Sequence, residues 1–167
     1  MALTGQSIRD ALKGLLGAQD ATDKTRTDIF FRSYEHCFVQ DAATAGTAVT
    51  TSTMYVNRTG YTQRILSAYV TAPITVAADN TDYVTFTVQT ADGAGGSGAT
   101  AFSGDTRAAS LNALAAAIPE ALTATAANVV VPVGGVVTIA VAKTGSGKAI
   151  VAATSYCHIQ IELEQLG

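Results

Sequence analysis

Lys143-Thr144-Gly145-Ser146-Gly147-Lys148-Ala149 comes nearest in this sequence to a recognisable chemistry, because Gly-Lys after a glycine-rich stretch is how a phosphate-binding loop cradles its ligand. The pattern fails in its particulars. Its first glycine would fall on Ala142, Ala149 stands where a hydroxyl should reach a magnesium ion, and the next residues read as a strand where phosphate needs a helix N-terminus. A hairpin turn is the expected reading. His36-Cys37 and Cys157-His158 carry metal-ligand residue types, but neighbours on a strand point to opposite faces, so each pair offers one side chain to a common centre. The alternation sets Cys157 inward and His158 outward, and both thiols are expected to be small core residues.

The remaining candidates are weaker. Oxygen ligands gather at Asp79-Asn80-Thr81-Asp82, but without the spacing of a twelve-residue calcium loop, and Asp79 and Asp82 read as turn residues that cap backbone groups. Glu162 and Glu164 fall on the wet face of a strand. Two histidines do not assemble a nucleophilic triad, and a Gly-x-Ser-x-Gly elbow is absent. The expectation is no catalytic residue, no metal, no cofactor and no enzyme activity.

Charge divides the chain into two parts. Of its 10 Lys/Arg and 13 Asp/Glu, ten lie between Arg9 and Glu35, while the residues beyond are built from Ala, Thr, Val and Gly. Net charge of −3 and only four lysines (Lys13, Lys24, Lys143, Lys148) exclude a nucleic-acid binder, which needs clustered cations to displace counterions. The richest apolar stretch, Val129 to Ala142, is broken by Pro132 and Gly134-Gly135, so no membrane span is expected. The start, Met1 to Asp10, has neither the basic head nor the apolar run of a secretory signal, so the chain is expected to be made and kept in a cytoplasm. The sequon Asn57-Arg58-Thr59 then carries no meaning, and the two cysteines stay thiols.

The elements that hold these residues read as an N-terminal arm over 1–35 and a β-sandwich domain over 36–167. In the arm, Ile8, Ala11, Leu12, Leu15 and Leu16 recur at helical spacing, followed by a polar linker to Asp28 and the aromatic spot Ile29-Phe30-Phe31. In the body, Val84, Phe86 and Val88 alternate with Thr85 and Thr87. Val137, Ile139 and Val141 do the same, as do Cys157, Ile159, Ile161 and Leu163. Roughly eight strands are expected, near 36–41, 49–56, 63–72, 82–90, 128–132, 136–143, 149–153 and 156–164. One helix capped by Asp105 or Thr106 interrupts them, with Leu111, Leu114, Ala115, Ile118 and Leu122 as its buried stripe. The glycine-rich stretch 92–101 reads as an exposed loop that packs no core. The fold class is therefore mainly β: a two-sheet antiparallel sandwich of jelly-roll type with one inserted helix and an N-terminal helical arm. Its Val- and Thr-rich strands have few lysines to guard their edges, which predicts a homo-oligomer.

Two segments carry a family resemblance. Ile74 to Gln89 contains Tyr83-Val84-Thr85 at the head of a strand, and Val131 to Gly147 contains Pro132-Val133-Gly134-Gly135, an apolar strand, and Lys143-Thr144-Gly145-Ser146-Gly147. From about Ala68 to Glu164 the chain resembles small capsid decoration (cement) and head-fibre proteins of tailed bacteriophages. The resemblance implies a jelly roll or related sandwich on the outside of an icosahedral head, a homodimer or homotrimer that staples major-capsid subunits, and a place on the virion after synthesis in the host cytoplasm. The arm would then reach across a subunit boundary. Its apolar contacts are expected from Ile8, Leu12, Leu15, Phe30 and Phe31, with Arg9, Lys13, Arg26 and Arg32 pairing with an acidic capsid surface. A second class of function competes: a virion spike or tail module that recognises host-surface carbohydrate through the loop at 92–101 and exposed Tyr55, Tyr61 and Tyr69.

Overall fold

The computed structural model describes residues 32–38, 49–94, 98–146 and 157–166, with side chains from residue 51 onward within those ranges. Ten strands follow in order: β1 Arg32–Phe38, β2 Val49–Val56, β3 Gln63–Thr71, β4 Tyr83–Ala91, β5 Ala99–Asp105, β6 Pro119–Ala121, β7 Thr123–Ala124, β8 Val130–Val131, β9 Val136–Thr144 and β10 Cys157–Gln165. They form two antiparallel sheets. One runs β1-β10-β3-β6, with β8 also beside β3, and the other runs β2-β9-β4-β5-β7. The pairs β1 with β10, β2 with β9, β3 with β6 and β8, and β4 with β5 fall alternately in the two sheets.

The core lies between the sheets and is built by the period-two pattern. Val84, Phe86 and Val88 of β4 are fully buried, as are Ile159, Ile161 and Leu163 of β10, while Thr85, Thr87, Gln160 and Glu162 between them face out. In β3 the alternation slips once. A register shift opposite Glu162 and Leu163 leaves both Leu66 and Ser67 on the outside, which brings Ala68 and Val70 back to the core. The outer side of β4 and β9 is carried by half-exposed Thr85, Thr87, Gln89, Thr138 and Ala140, the uncharged solvation that the composition implies.

Three expectations are corrected. No α-helix forms over 105–122. Leu114 instead bridges Val76 through reciprocal backbone hydrogen bonds of 2.9 Å, Leu122 N–H donates to Ala68 O, and Asn112 and Ala117 turn the chain with positive φ. A helix would hold its apolar stripe on one line, whereas Leu114 is buried in a bridge to Val76, Leu122 is buried beside Ala68 of β3 and Ile118 is exposed. Tertiary burial overrides a local alanine-rich propensity. Second, the end of the glycine-rich stretch is part of a core strand: β5 buries Ala101 and Phe102. Its Gly104 sits where any side-chain carbon would press on Leu111, which is why so small a residue packs there. Third, the first strand spans 32–38 rather than 36–41, so Arg32 to Glu35 of the expected arm belong to β1. The expected helical arm upstream and the expected strand at 149–153 lie outside the described residues.

Candidate functional site

The first part of the glycine-lysine stretch, Lys143 to Ser146, forms one structural unit with the acidic turn, and Gly147, Lys148 and Ala149 lie outside the described residues. Lys143 lies on the core face of β9 and is 1% exposed, out of reach of a ligand on the surface. Gly145 then turns the chain at φ +64, and a side-chain carbon on it would collide with Thr81 and Asp82. Asp82 Oδ1 accepts from the Ser146 N–H at 2.6 Å, while Asp79 Oδ1 accepts from the N–H groups of Thr81 and Asp82. These carboxylates serve backbone donors, as turn aspartates do.

Beside that turn, Asn80, Arg107, Ala109 and Ser110 line an open depression of about 380 Å³. Its polar groups are engaged by the loop itself. Arg107 forks onto Asp105 with Nε and Nη2 at 2.9 and 2.6 Å, and its guanidinium stacks 4.7 Å over the Tyr83 ring. Ser110 Oγ accepts from the Asp105 N–H, and Asn80 Oδ1 from the Ala108 N–H. The hydrogen bond from Arg107 holds the Asp105 carboxyl below the usual carboxylate range, against the opposing pull of burial, so it is a poor proton acceptor near neutrality. A carboxylate lowered by folding stabilises the protein above its unfolded value near 3.9, and that contribution is lost as pH falls through the folded value. Asp105→Asn should therefore lose less stability than the native chain between about pH 5 and pH 2, read as the pH dependence of urea midpoints.

Cys157 is buried as expected and His158 is half-buried on the other face. Cys37 stands opposite His158 in the β1–β10 register, and its side chain lies outside the described residues. Among the described residues no group of three His, Cys, Asp or Glu converges on a metal position. Burial pushes the Cys157 thiol up to about 12, only partly offset by a backbone hydrogen bond at His158. Iodoacetamide at pH 8 should thus leave Cys157 unmodified in the native protein and alkylate it in urea, as peptide mass spectrometry would read. Because the folded thiol keeps its proton where an unfolded one, near 8.5, releases it, its contribution to stability falls as pH rises above that value.

At the opposite end of the sandwich, Asn57 ties two turns together. It is fully buried, and Nδ2 donates to the carbonyls of Tyr61, Val131 and Pro132 at 2.8, 3.1 and 3.0 Å. Oδ1 accepts from the Thr59 N–H and hydroxyl, and the Asn57 main chain exchanges hydrogen bonds with Gly134 and Gly135. The sequon amide is spoken for inside the fold. Gly93, at φ +82, lies so close to Gly134 that any side chain there would meet its carbonyl.

Of the tyrosines expected to be exposed, Tyr55 is buried with its hydroxyl donating to Gln63 Oε1, Tyr69 is half-buried and Tyr61 is 54% exposed. The expected capsid contacts Ile8, Arg9, Leu12, Lys13, Leu15, Arg26, Phe30 and Phe31 lie outside the described residues, and Arg32 opens β1 opposite Leu163. Tyr61 is exposed as expected, and sequence reading missed the exposed apolar residues Leu66, Val130 and Val133 that share its margin of the sheet. The available signal was Val129-Val130-Val131-Pro132-Val133, too apolar for a short strand with one buried face.

No family model matches this chain, and no curated protein matches it. Among solved structures it is similar to that of infectious bursal disease virus Gt strain, at 13% identity over 83% of this chain and 33% of that one, with a TM-score of 0.26. A second likeness, to infectious bursal disease virus Gx strain, has 12% identity over 83% of this chain and 41% of that one, with a TM-score of 0.21. The chain therefore spans well under half the length of either, and likenesses this distant bear no argument about function.

Proposed function

We propose that this chain is a structural virion protein that binds the outer surface of a tailed-phage capsid and stabilises contacts between major-capsid subunits. The observation that carries the reading is the order of strand pairing. Counting β6 and β8, which both pair with β3, as one interrupted strand, and setting β7 aside as a short edge on β5, first pairs with last, second with second-last, and so inward, with successive pairs dealt alternately to two sheets. That is how a long hairpin winds into a jelly roll, an architecture that recurs in viral capsid domains. The resemblance of Ala68 to Glu164 to decoration and head-fibre proteins points the same way. The partners are the major capsid protein and further copies of the chain, as a homodimer or homotrimer. Self-association is supported by β2, an eight-residue edge strand with neither charge nor proline and no strand on its outer side among the described residues.

The test is co-sedimentation of the full chain with capsids of the phage that encodes it. Leu12→Asp with Leu15→Asp should weaken pelleting at least tenfold, and light scattering should give a mass above 17.0 kDa. An intact oligomer that pellets with no capsid would sink the proposal. The alternative, a spike that stacks rings on sugars, draws on Tyr61 alone among the three tyrosines first considered.

A further inference from the structure

Every exposed large hydrophobic residue among those described lies within two positions of β3, β6 or β8, on one margin of the first sheet: Tyr61, Leu66, Ile118, Val130 and Val133. Four of them share a corner. Arg64 pairs with Val130 and Gln63 with Val131, and Leu66 follows Arg64 by two residues on the same exposed face of β3, diagonal to Val130. Just beyond it, the Asn57 amide binds the backbones of Tyr61 and Pro132 and fixes Tyr61 near Val133. This apolar surface is held in shape by a buried side chain. Clustered exposed apolar residues of this kind mark a contact surface.

We infer that this corner is the docking site of the chain's own N-terminal segment, filled by the stripe Ile8, Leu12 and Leu15. The segment joins the sandwich at Arg32. Arg32 pairs with Leu163, Leu163 pairs with Ile65, and the Ile65 N–H donates to Val129 O at 2.9 Å. The chain therefore enters β1 level with the corner, three strand spacings or about 14 Å away. Ile29 to Phe31 sit too close to Arg32 to cover that distance, at about 3.3 Å per residue, whereas the stripe reaches it with ample linker.

The four side chains expose roughly 350 Å², well below the roughly 800 Å² per partner of a stable pair of proteins. A tethered segment needs far less, because its effective concentration is already of millimolar order. The inference stands apart from the capsid reading, since it concerns the free protein.

The arm supplies its own reporter, because Arg9 and Lys13 lie within the stripe and are trypsin sites. In the full chain, cleavage after Arg9 and Lys13 should be slow, and Val130→Asp with Val133→Asp should accelerate it at least tenfold. Both positions are exposed, at 44% and 54%, so the double variant keeps its fold, which circular dichroism would verify. Thr87→Asp with Thr138→Asp, on the other sheet, should leave the rate unchanged. Equal rates in the native chain and the corner variant would overturn the inference. Protection that disappears on hundredfold dilution would also overturn it, by assigning the corner to a second copy.

Discussion

Asn57→Ala is expected to lower the unfolding free energy by about 2 kcal/mol, since a buried carbonyl that loses a donor costs about 1–3 kcal/mol and Val131 O loses the Asn57 amide here, while Pro132 O keeps the Gly135 N–H. The Tyr61 carbonyl contributes less to the loss, because the Thr59 hydroxyl also donates to it. Asn57→Asp separates the two roles of the amide. It keeps the acceptor for Thr59 and removes the donors, so it should cost about as much as alanine. Urea midpoints at an unchanged slope would measure both. An aspartate variant as stable as the native chain would show that Thr59, not the turn at 131–135, is what Asn57 secures.

Phe86→Ala should cost about 3–5 kcal/mol, the range for deleting an enclosed aromatic side chain. Phe86 is the largest of the fully buried side chains and sits mid-strand in β4, flanked on its face by Val84 and Val88 and paired across to Val141. Against a total stability of about 5–15 kcal/mol such a loss can leave too little folded protein to measure, so Phe86→Leu, at about 1 kcal/mol, supplies the graded comparison. One residue along, Thr87→Ala should change stability by no more than about 0.5 kcal/mol, because that side chain faces out. The contrast between neighbours is a test of register. Comparable losses at 86 and 87 would mean that β4 does not present one face to the core.

Burial of Phe86 beside exposure of Thr87 was legible in the residues, because a long strand with one face against a core writes its own period. The same holds for β9, and for β10 from Cys157 to Leu163. The pattern lost its meaning wherever the local sequence left two structures open. Asp105 to Leu122 satisfies a helical stripe as well as it does a looped path, and only the separate demands of Val76 for Leu114 and of Ala68 for Leu122 chose the path. β5 was hidden for a related reason. Its Ala101 and Gly104 look like loop residues until Leu111 packs over Gly104 and leaves room for nothing larger. Tyr55 was expected at the surface as a ring that stacks on sugar, and Gln63 on the neighbouring sheet lets it go inside by accepting a hydrogen bond from its hydroxyl.

By itself the sequence determined the mainly β class, the inward faces of the three strongest strands and the placing of turns at glycine and aspartate, because each follows from side chains within a few residues of one another. Only the tertiary structure decided that Lys143 lies in the core, that Asn57 ties turns more than seventy residues apart, and that Tyr61, Leu66, Val130 and Val133 are exposed on one margin of the first sheet. Those are contacts between distant strands, and their energies depend on which strand becomes the neighbour, which no local pattern records.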